Sequence, residues 1–474
     1  MRTEVLIVGA GPTGLFLAGL LAARGVEVVV LERRRTPARH SRAIGLHPPA
    51  LHALDRLGLA EEALAEGVRV RRGVGYGDGA GPGSTLGELS LDRVDRTFPF
   101  VLTLPQVCTE ELLAARLEEL ASGAVRRGRE VTGLRQSAGG ATVLARVGGT
   151  GLAEAGWAGT RAETGPAGTG RAETGRAETG WAGTERAETG QAGTGRAETG
   201  RDKTGRAETG GAEMKHAETG RAEEAWEAQV VIGADGTRSR VRELAGVGSS
   251  TRNWGDHYLM GDFDDPGAEP VAHIHLHRHG VVERFPLPGG RRRWVVHTGT
   301  ERATERADEL AERAFERIGI APEPLTATML SAFSVQRRLA GQMVSGRTVL
   351  AGDAAHGISP IGGQGMTLGW LDALALAPLL QDLFQGGAGR LGLLTAGERI
   401  SGRLEEYPGF ARFDARRRRA ARTAARQAEV NMLLGRPLPG ATCRVRDTAV
   451  RAALAGGARN RLARLYTMGW AGRT

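Results

Sequence analysis

The chain opens with an apolar run, Glu4–Val8, that stops at a glycine, continues through a mostly apolar stretch, Thr13–Arg24, and returns to a second short apolar run, Glu27–Leu31. Short branched runs bounded by glycine predict buried strands, and the longer stretch between them predicts a helix, so the wording is βαβ. A helix is predicted near Pro49–Leu57 and another over Glu110–Ser122, while Ala141–Val147 and Trp226–Ile232 read as strands. Between Asp256 and Phe333 the pattern changes to strands broken by turns such as Pro288-Gly289-Gly290, which predicts a separate β-rich unit. From Gly365 onward the pattern is helical and ends in an arginine-rich segment.

One segment fits neither period. From Arg161 to Gly220 the chain advances in pentads, with RAETG unaltered at 161, 171, 176, 186, 196 and 206. Alanine, threonine, glycine and mixed charge supply almost no large apolar side chains to offset an ordering entropy of about 1–2 kcal/mol per residue. A disordered loop is predicted, inserted into a hairpin whose arms are the strands at 141–147 and 226–232. Setting 149–223 aside removes 75 residues and leaves 399 to be matched to a fold.

The 474 residues call for two or three structural units, and 41% hydrophobic with 25% charged residues is ordinary for a soluble globular protein. Cys108 and Cys443 match neither a disulfide framework nor a metal spacing, which suits a reducing cytoplasm. No signal peptide or membrane span is read: Leu15–Leu21 is far shorter than the roughly 20 residues a bilayer requires. The formal charge of +9 is concentrated, because residues 401–474 hold 16 basic and 5 acidic side chains.

Chemistry enters at Gly9-Ala10-Gly11-Pro12-Thr13-Gly14, which leaves the first strand and opens the first helix, with Glu32 ending the next strand 23 residues after Gly9. The first glycine permits a tight turn, the second lets main chain approach a pyrophosphate, and the third lets helix and strand pack closely. The helix N-terminus offers free N–H groups to phosphate, and Glu32 can accept from ribose hydroxyls. Two further strands end in acidic turns. Ile232-Gly233-Ala234-Asp235-Gly236 is followed by Arg238, Arg240 and Arg242, and Val349–Ala351 leads through Gly352 to Asp353, Pro360, Gly362-Gly363-Gln364-Gly365 and a helix. Backbone N–H groups of Gly365 and Met366 at that helix start would compensate negative charge on a bound ligand.

With these three motifs in this order, the chain resembles the para-hydroxybenzoate hydroxylase class of FAD-dependent monooxygenases, over nearly all of its length outside 149–223. The resemblance implies an α/β architecture. A Rossmann-like FAD-binding domain would be assembled from 1–70, 100–148, 224–250 and 346–400, and a β-sheet substrate domain from 71–99 and 251–345. A C-terminal helical region would follow at 401–474. It implies FAD contacts from Gly9, Gly11, Gly14, Glu32 with its neighbour Arg33, Arg42, Gln106, Asp235, Asp353, Pro360, Gly365 and Met366. It also implies reduction by NAD(P)H, reaction with dioxygen to a C4a-hydroperoxyflavin, and oxygen transfer to an aromatic or polyketide-like small molecule. No catalytic acid or base is identified, and the oligomeric state is not legible.

Other readings are weaker. His273, His275, His277 and His279 would share one strand face, yet no third ligand or supporting partners are legible, so no metal site is expected. Arg416–Arg419, with Arg412, Arg422 and Arg426, wrap around a helix without an aromatic platform. A solvated helix, or one paired with acids of the same protein, is expected in place of nucleic-acid binding. His356 beside the third motif either shapes a pocket or serves a structural hydrogen bond. A flavin-dependent halogenase would need a lysine and paired tryptophans absent outside the repeat, and an NAD-dependent dehydrogenase would leave the two later motifs unexplained. A flavoprotein cyclase, or a scaffold using FAD without net redox chemistry, stays open.

Overall fold

The computed structural model describes residues 1–37, 43–78, 84–148, 222–267, 269–300, 303–385 and 402–471. The predicted repeat over 149–223 therefore lies outside the described residues except for its last two.

The architecture is α/β. Strand Arg2–Val8 is central to a sheet that runs Val344–Ser345, Thr348–Leu350, Glu223–Gly233, Arg2–Val8, Val28–Glu32, Val125–Arg127. From Thr348–Leu350 to Val125–Arg127 all neighbours are parallel. Val5, Leu6, Ile7, Val230, Val231 and Ile232 are wholly buried, as expected of parallel strands covered on both faces. Helix Pro12–Ala22 is apolar around its full circumference, and Gly14 through Leu21 are all buried. It is held between the sheet and helix Gly365–Gln385, where Phe16 meets Trp370 at 5.2 Å and the Trp370 indole donates to the Pro12 carbonyl at 3.0 Å. Proline at the helix start costs nothing there, since its missing N–H would have no intrahelical partner.

Strands Gly140–Val147 and Glu223–Gly233 pair antiparallel from Ala141↔Ala228 to Arg146↔Glu223, so the arms of the predicted hairpin are adjacent strands. Helix Gln106–Leu120 begins four residues before the predicted Glu110. Pro105 stops the preceding extended segment, and the Gln106 N–H is satisfied by the Ala43 carbonyl at 3.1 Å, so helical geometry starts at once.

A second sheet of seven strands runs Met329–Ala340, Ser249–Asp264, Arg291–Gly299, Val282–Leu287, Val271–His275, Arg72–Tyr76, Thr85–Ser90. One face packs on helix Ala307–Ile318 through Leu259, Phe263, Val282, Trp294, Val296 and Leu310. The opposite face carries Tyr258, Met260, Val281, Val295 and Phe333, in contact with Ile361 and Met432. Ile361 precedes the glycine cluster and Met432 lies on helix Pro408–Gly435, so this inner face looks toward the third motif.

The histidine row does not share one strand. The strand ends at His275, and the chain then turns, with Gly280 N–H donating to the His277 carbonyl at 3.0 Å and Gly280 at φ +106°. His273 and His275 stack with Tyr76 on the outer face, whereas His277 lies 3.7 Å from Asp78. Leu276 still enters the inner core beside Ile274, and the alternation ends in the turn that follows. The arginine run does wrap its helix: Arg417 points inward to Asp372 at 2.6 Å, while Arg418 pairs with Asp414 on its own helix at 2.9 Å.

Candidate active site

The parallel sheet brings the three motifs together because their strands end on one rung. Val8 is level with Leu31 on one side and Gly233 on the other, and Gly233 is level with Leu350. Every motif turn therefore leaves the same carboxyl edge, on both sides of the point where the strand order reverses, which is where open α/β sheets place ligands.

Contacts between the turns are closer than side chains would permit. Gly9 adopts φ +107°, and a β-carbon there would stand 2.5 Å from the Ala234 carbonyl oxygen and 2.9 Å from the Asp235 Cα. Gly352, at φ +61°, would place one 2.6 Å from the Thr13 hydroxyl. The first turn thus touches the second through Gly9 and the third through Thr13. Around Gly11 a β-carbon would meet nothing within 4 Å, which leaves open space at the helix N-terminus where a pyrophosphate would run. Glu32 accepts from the Ala10 N–H at 2.8 Å and the Arg34 N–H at 2.9 Å, so its carboxylate is held over the glycine turn. Arg33 beside it is exposed, and Arg42 lies outside the described residues.

The two motif aspartates differ. Asp235 accepts from the Ser239 hydroxyl at 2.5 Å and from the backbone N–H groups of Arg240 at 2.6 Å and Val241 at 3.0 Å. These bonds order the start of helix Arg240–Leu244, where Ser239 caps the Arg242 N–H at 2.9 Å. Asp353 has no hydrogen bond from any described residue. Its carboxyl is pushed above the usual carboxylate range by crowding protein, an effect that nearby His356 partly offsets. A carboxylate on a crevice wall with open acceptor sites suits a polyhydroxyl chain.

Pro360 accepts the Gly363 N–H at 2.9 Å in the turn before helix Gly365–Gln385, and Gly365 is the first residue of that helix with Met366 buried behind it. Gln106 spends its side-chain amide on Glu110 at 2.7 Å, and its backbone ties it to Ala43.

Several residues at this site were not singled out in the sequence. His47 is buried, with Nε2 at 3.1 Å from the Gly362 carbonyl and Nδ1 without a partner. Burial lowers its pKa to about 4, against the raising effect of the Gly362 and Gly363 backbone, so it is neutral and Nδ1 is an acceptor. Gln364 is buried with its Oε1 unpartnered. Asp372, wholly buried, receives His356 Nε2 at 2.5 Å, Arg417 Nε at 2.6 Å and the Gly352 N–H at 3.0 Å. Burial opposes its charge, but the adjoining His356 and Arg417 charges and these hydrogen bonds prevail and hold its pKa low. His356 thus serves a structural bond that fixes the third turn from behind. Asp372 had a visible signal, an acid set among the apolar residues of its helix, and His47 had none.

Open space at a glycine turn, acidic acceptors at Glu32 and Asp353, and a glycine loop at a helix start together fit a flavin dinucleotide. That defines the class, an α/β dinucleotide-binding fold joined to a second, mostly antiparallel sheet. Residues 2–155 and 187–406 match the family described as FAD binding domain, and the chain belongs to that family. It is 30% identical over 381 residues to a rifampicin monooxygenase of Streptomyces venezuelae, covering 79% of this chain and 63% of that protein. It is 31% identical over 404 residues to a 6-methylpretetramide 4-monooxygenase of Streptomyces rimosus, covering 81% of this chain and 57% of that protein. The chain spans less than two thirds of the length of these relatives. Among solved structures, an anhydrotetracycline hydroxylase from Streptomyces rimosus superposes with TM-score 0.66 at 26% identity, over 99% of this chain and 76% of that one. A p-nitrophenol 4-monooxygenase from Pseudomonas putida shares the fold, with TM-score 0.72 at 21% identity over 100% of this chain and 99% of that one.

Proposed function

We propose that the chain is an FAD-dependent monooxygenase that uses NAD(P)H and dioxygen to hydroxylate an aromatic or polycyclic small molecule. The observation that carries this reading is the convergence of three strand-end turns on one sheet edge, beside a glycine loop that meets the inner face of a second sheet. The names of the relatives, which act on rifampicin, pretetramide and nitrophenol, support the substrate class.

In this reading Gly9, Gly11 and Gly14 with Glu32 and Arg33 hold the ADP half of FAD. Asp353 holds its ribityl chain, and Pro360, Gly365 and Met366 line the ring. Arg42 and Gln106 add contacts, and Asp235 acts by holding its own turn against Gly9. Bound FAD supplies hydride acceptance and oxygen activation, chemistry that no protein side chain provides. The protein orients the substrate between the two sheets and keeps water out. The FAD-binding domain comprises 1–70, 100–148, 224–250 and 346–400, the substrate domain 71–99 and 251–345, and a helical region follows at 401–474. Two unpaired cysteines support a cytoplasmic setting, and no helix among the described residues is long and apolar enough to cross a membrane.

The test is substrate-stimulated NADPH oxidation by the yellow holoprotein under isotopically labelled dioxygen. Label in the product supports the proposal. Product formed without NADPH would point to a flavoprotein cyclase instead.

A further inference from the structure

Strand Val282–Leu287 places Glu283 on the inner face of the sheet, where its neighbours along the rung are apolar. On the inner face the register aligns Met260, Val295, Glu283 and Ile274 across four neighbouring strands, with Ser331 beyond Met260 and Gly75 beyond Ile274. Val281 and Phe285, on the same side of the chain as Glu283, belong to or pack on the apolar cluster that contains Ile361 and Met432. Glu283 is thus turned toward the loop that carries the glycines of the third motif. No ion pair or hydrogen bond from the described residues reaches its carboxylate, which keeps partial access to solvent. A carboxylate in such surroundings is costly unless something else partners it.

Two tyrosines lie near enough to feel its charge. Tyr258 is buried on the same sheet face with its hydroxyl unpartnered, and Tyr466 ends helix Arg459–Tyr466. Both phenols are made less acidic by burial first and by the Glu283 charge second. Tyr466 in turn meets the His47 ring edge-on at 5.8 Å, and its carbonyl accepts from Gln364 at 3.5 Å. Contacts therefore run from the Gly362 carbonyl through His47 to Tyr466, whose phenol feels the Glu283 charge.

From this placement we infer that the Glu283 carboxylate binds an acidic hydroxyl of the substrate, a phenol or enol, and accepts its proton. The inference rests on the monooxygenase reading above. The substrate O–H bond breaks, the proton passes to a carboxylate oxygen, and the electron pair stays on the substrate oxygen, enriching the ring carbons that accept oxygen. Tyr258 and Tyr466 serve as hydroxyl donors to the same oxygen pair. Burial raises the Glu283 pKa to about 7, so the carboxylate is basic enough to compete for a phenolic proton near neutral pH. The titratable groups that feel its charge are Tyr258 and Tyr466. Beyond Tyr258 stand Asp256 and Arg436, paired at 2.6 Å, with His297 at 3.2 Å from Asp256. His47, with a pKa of about 4, is too weak a base for the task.

The test uses FAD-loaded protein and 4-hydroxybenzaldehyde, whose anion absorbs apart from its neutral form, with 4-methoxybenzaldehyde as the analogue lacking the proton. At a pH where the free phenol is still neutral, the wild type is expected to bind it partly as the anion. Glu283→Gln is expected to bind it with the anion fraction lowered about tenfold or more, the equivalent of one pKa unit, and Glu283→Asp to restore part of it. FAD content of each variant reports folding separately. Binding to Glu283→Gln with the wild-type anion fraction would overturn the inference and leave the monooxygenase reading standing. Failure of the wild type to bind either aldehyde, with no label incorporated from any phenol, would remove both.

Discussion

Arg417 and Asp372 meet at 2.6 Å with 3% and 0% of their surfaces exposed, and the pair anchors the third motif to the helical region. Removing one partner leaves a buried charge uncompensated, which costs about 3–5 kcal/mol. Arg417→Met should therefore lower the denaturation midpoint strongly. The double variant Arg417→Met with Asp372→Leu should recover a large part of that loss, although Gly352 and His356 still lose an acceptor. Chemical denaturation of the four forms checks this. A single variant as stable as wild type would contradict the assigned pairing.

The two motif aspartates should separate in experiment. Asp235→Ala removes the acceptor for Ser239, Arg240 and Val241, a loss comparable to a helix cap at about 0.5–2 kcal/mol. It should reduce thermal stability. Asp353→Ala touches no protein hydrogen bond, so the melting temperature of the cofactor-free protein should hold while FAD content after purification falls. Flavin absorbance per protein and calorimetry of the stripped protein give the two readings.

Buried neutral histidines set an acid limit. His47 and His273 titrate at about 4 and His275 at about 3, because burial disfavours the imidazolium. Their folded pKa values lie below the unfolded value of about 6.5. The unfolded chain binds more protons between these limits, so their stabilisation is complete above about 6.5 and is lost as pH falls toward the folded values. His47 alone accounts for roughly 2 kcal/mol by about pH 5, at about 1.36 kcal/mol per pKa unit. Asp372, with a lowered pKa, acts in the same direction at lower pH. His275→Phe keeps the stacking surface against Tyr76 and should flatten the fall in melting temperature on acidification.

Val147 donates to the Ala222 carbonyl at 2.8 Å, closing the hairpin on either side of the RAETG repeat. Replacing 149–221 by a two-residue Asn-Gly turn, which suits such a pair of strands, should preserve FAD content and leave the melting temperature unchanged. Loss of FAD from this shortened chain would show that the repeat takes part in the fold.

Local pattern made the nucleotide half legible. Gly9, Gly14 and Glu32 belong to one βαβ unit, and steric demand at Gly9 and Gly14 admits only glycine, so residue type reports geometry directly. Helix Gln106–Leu120 was legible in kind but not at its start, since the Ala43 carbonyl that satisfies its first N–H comes from a distant turn. The histidine row parts for a related reason: alternation holds only while the strand lasts, and past Leu276 the chain turns at His277–Gly280.

Sequence alone determined the three strand-end turns and the parallel sheet that carries them, because backbone conformation and apolar burial are set within a few residues. Tertiary structure decided which acids face a ligand and which face their own backbone. Asp235 and Asp353 read alike in the chain, yet one is enclosed by N–H donors and the other is left open. Glu283 reads as one polar residue in a strand, and only the pairing of Met260, Val295 and Ile274 beside it leaves its charge without a partner. Such distinctions depend on which surfaces meet, a property of the folded arrangement and not of any one segment.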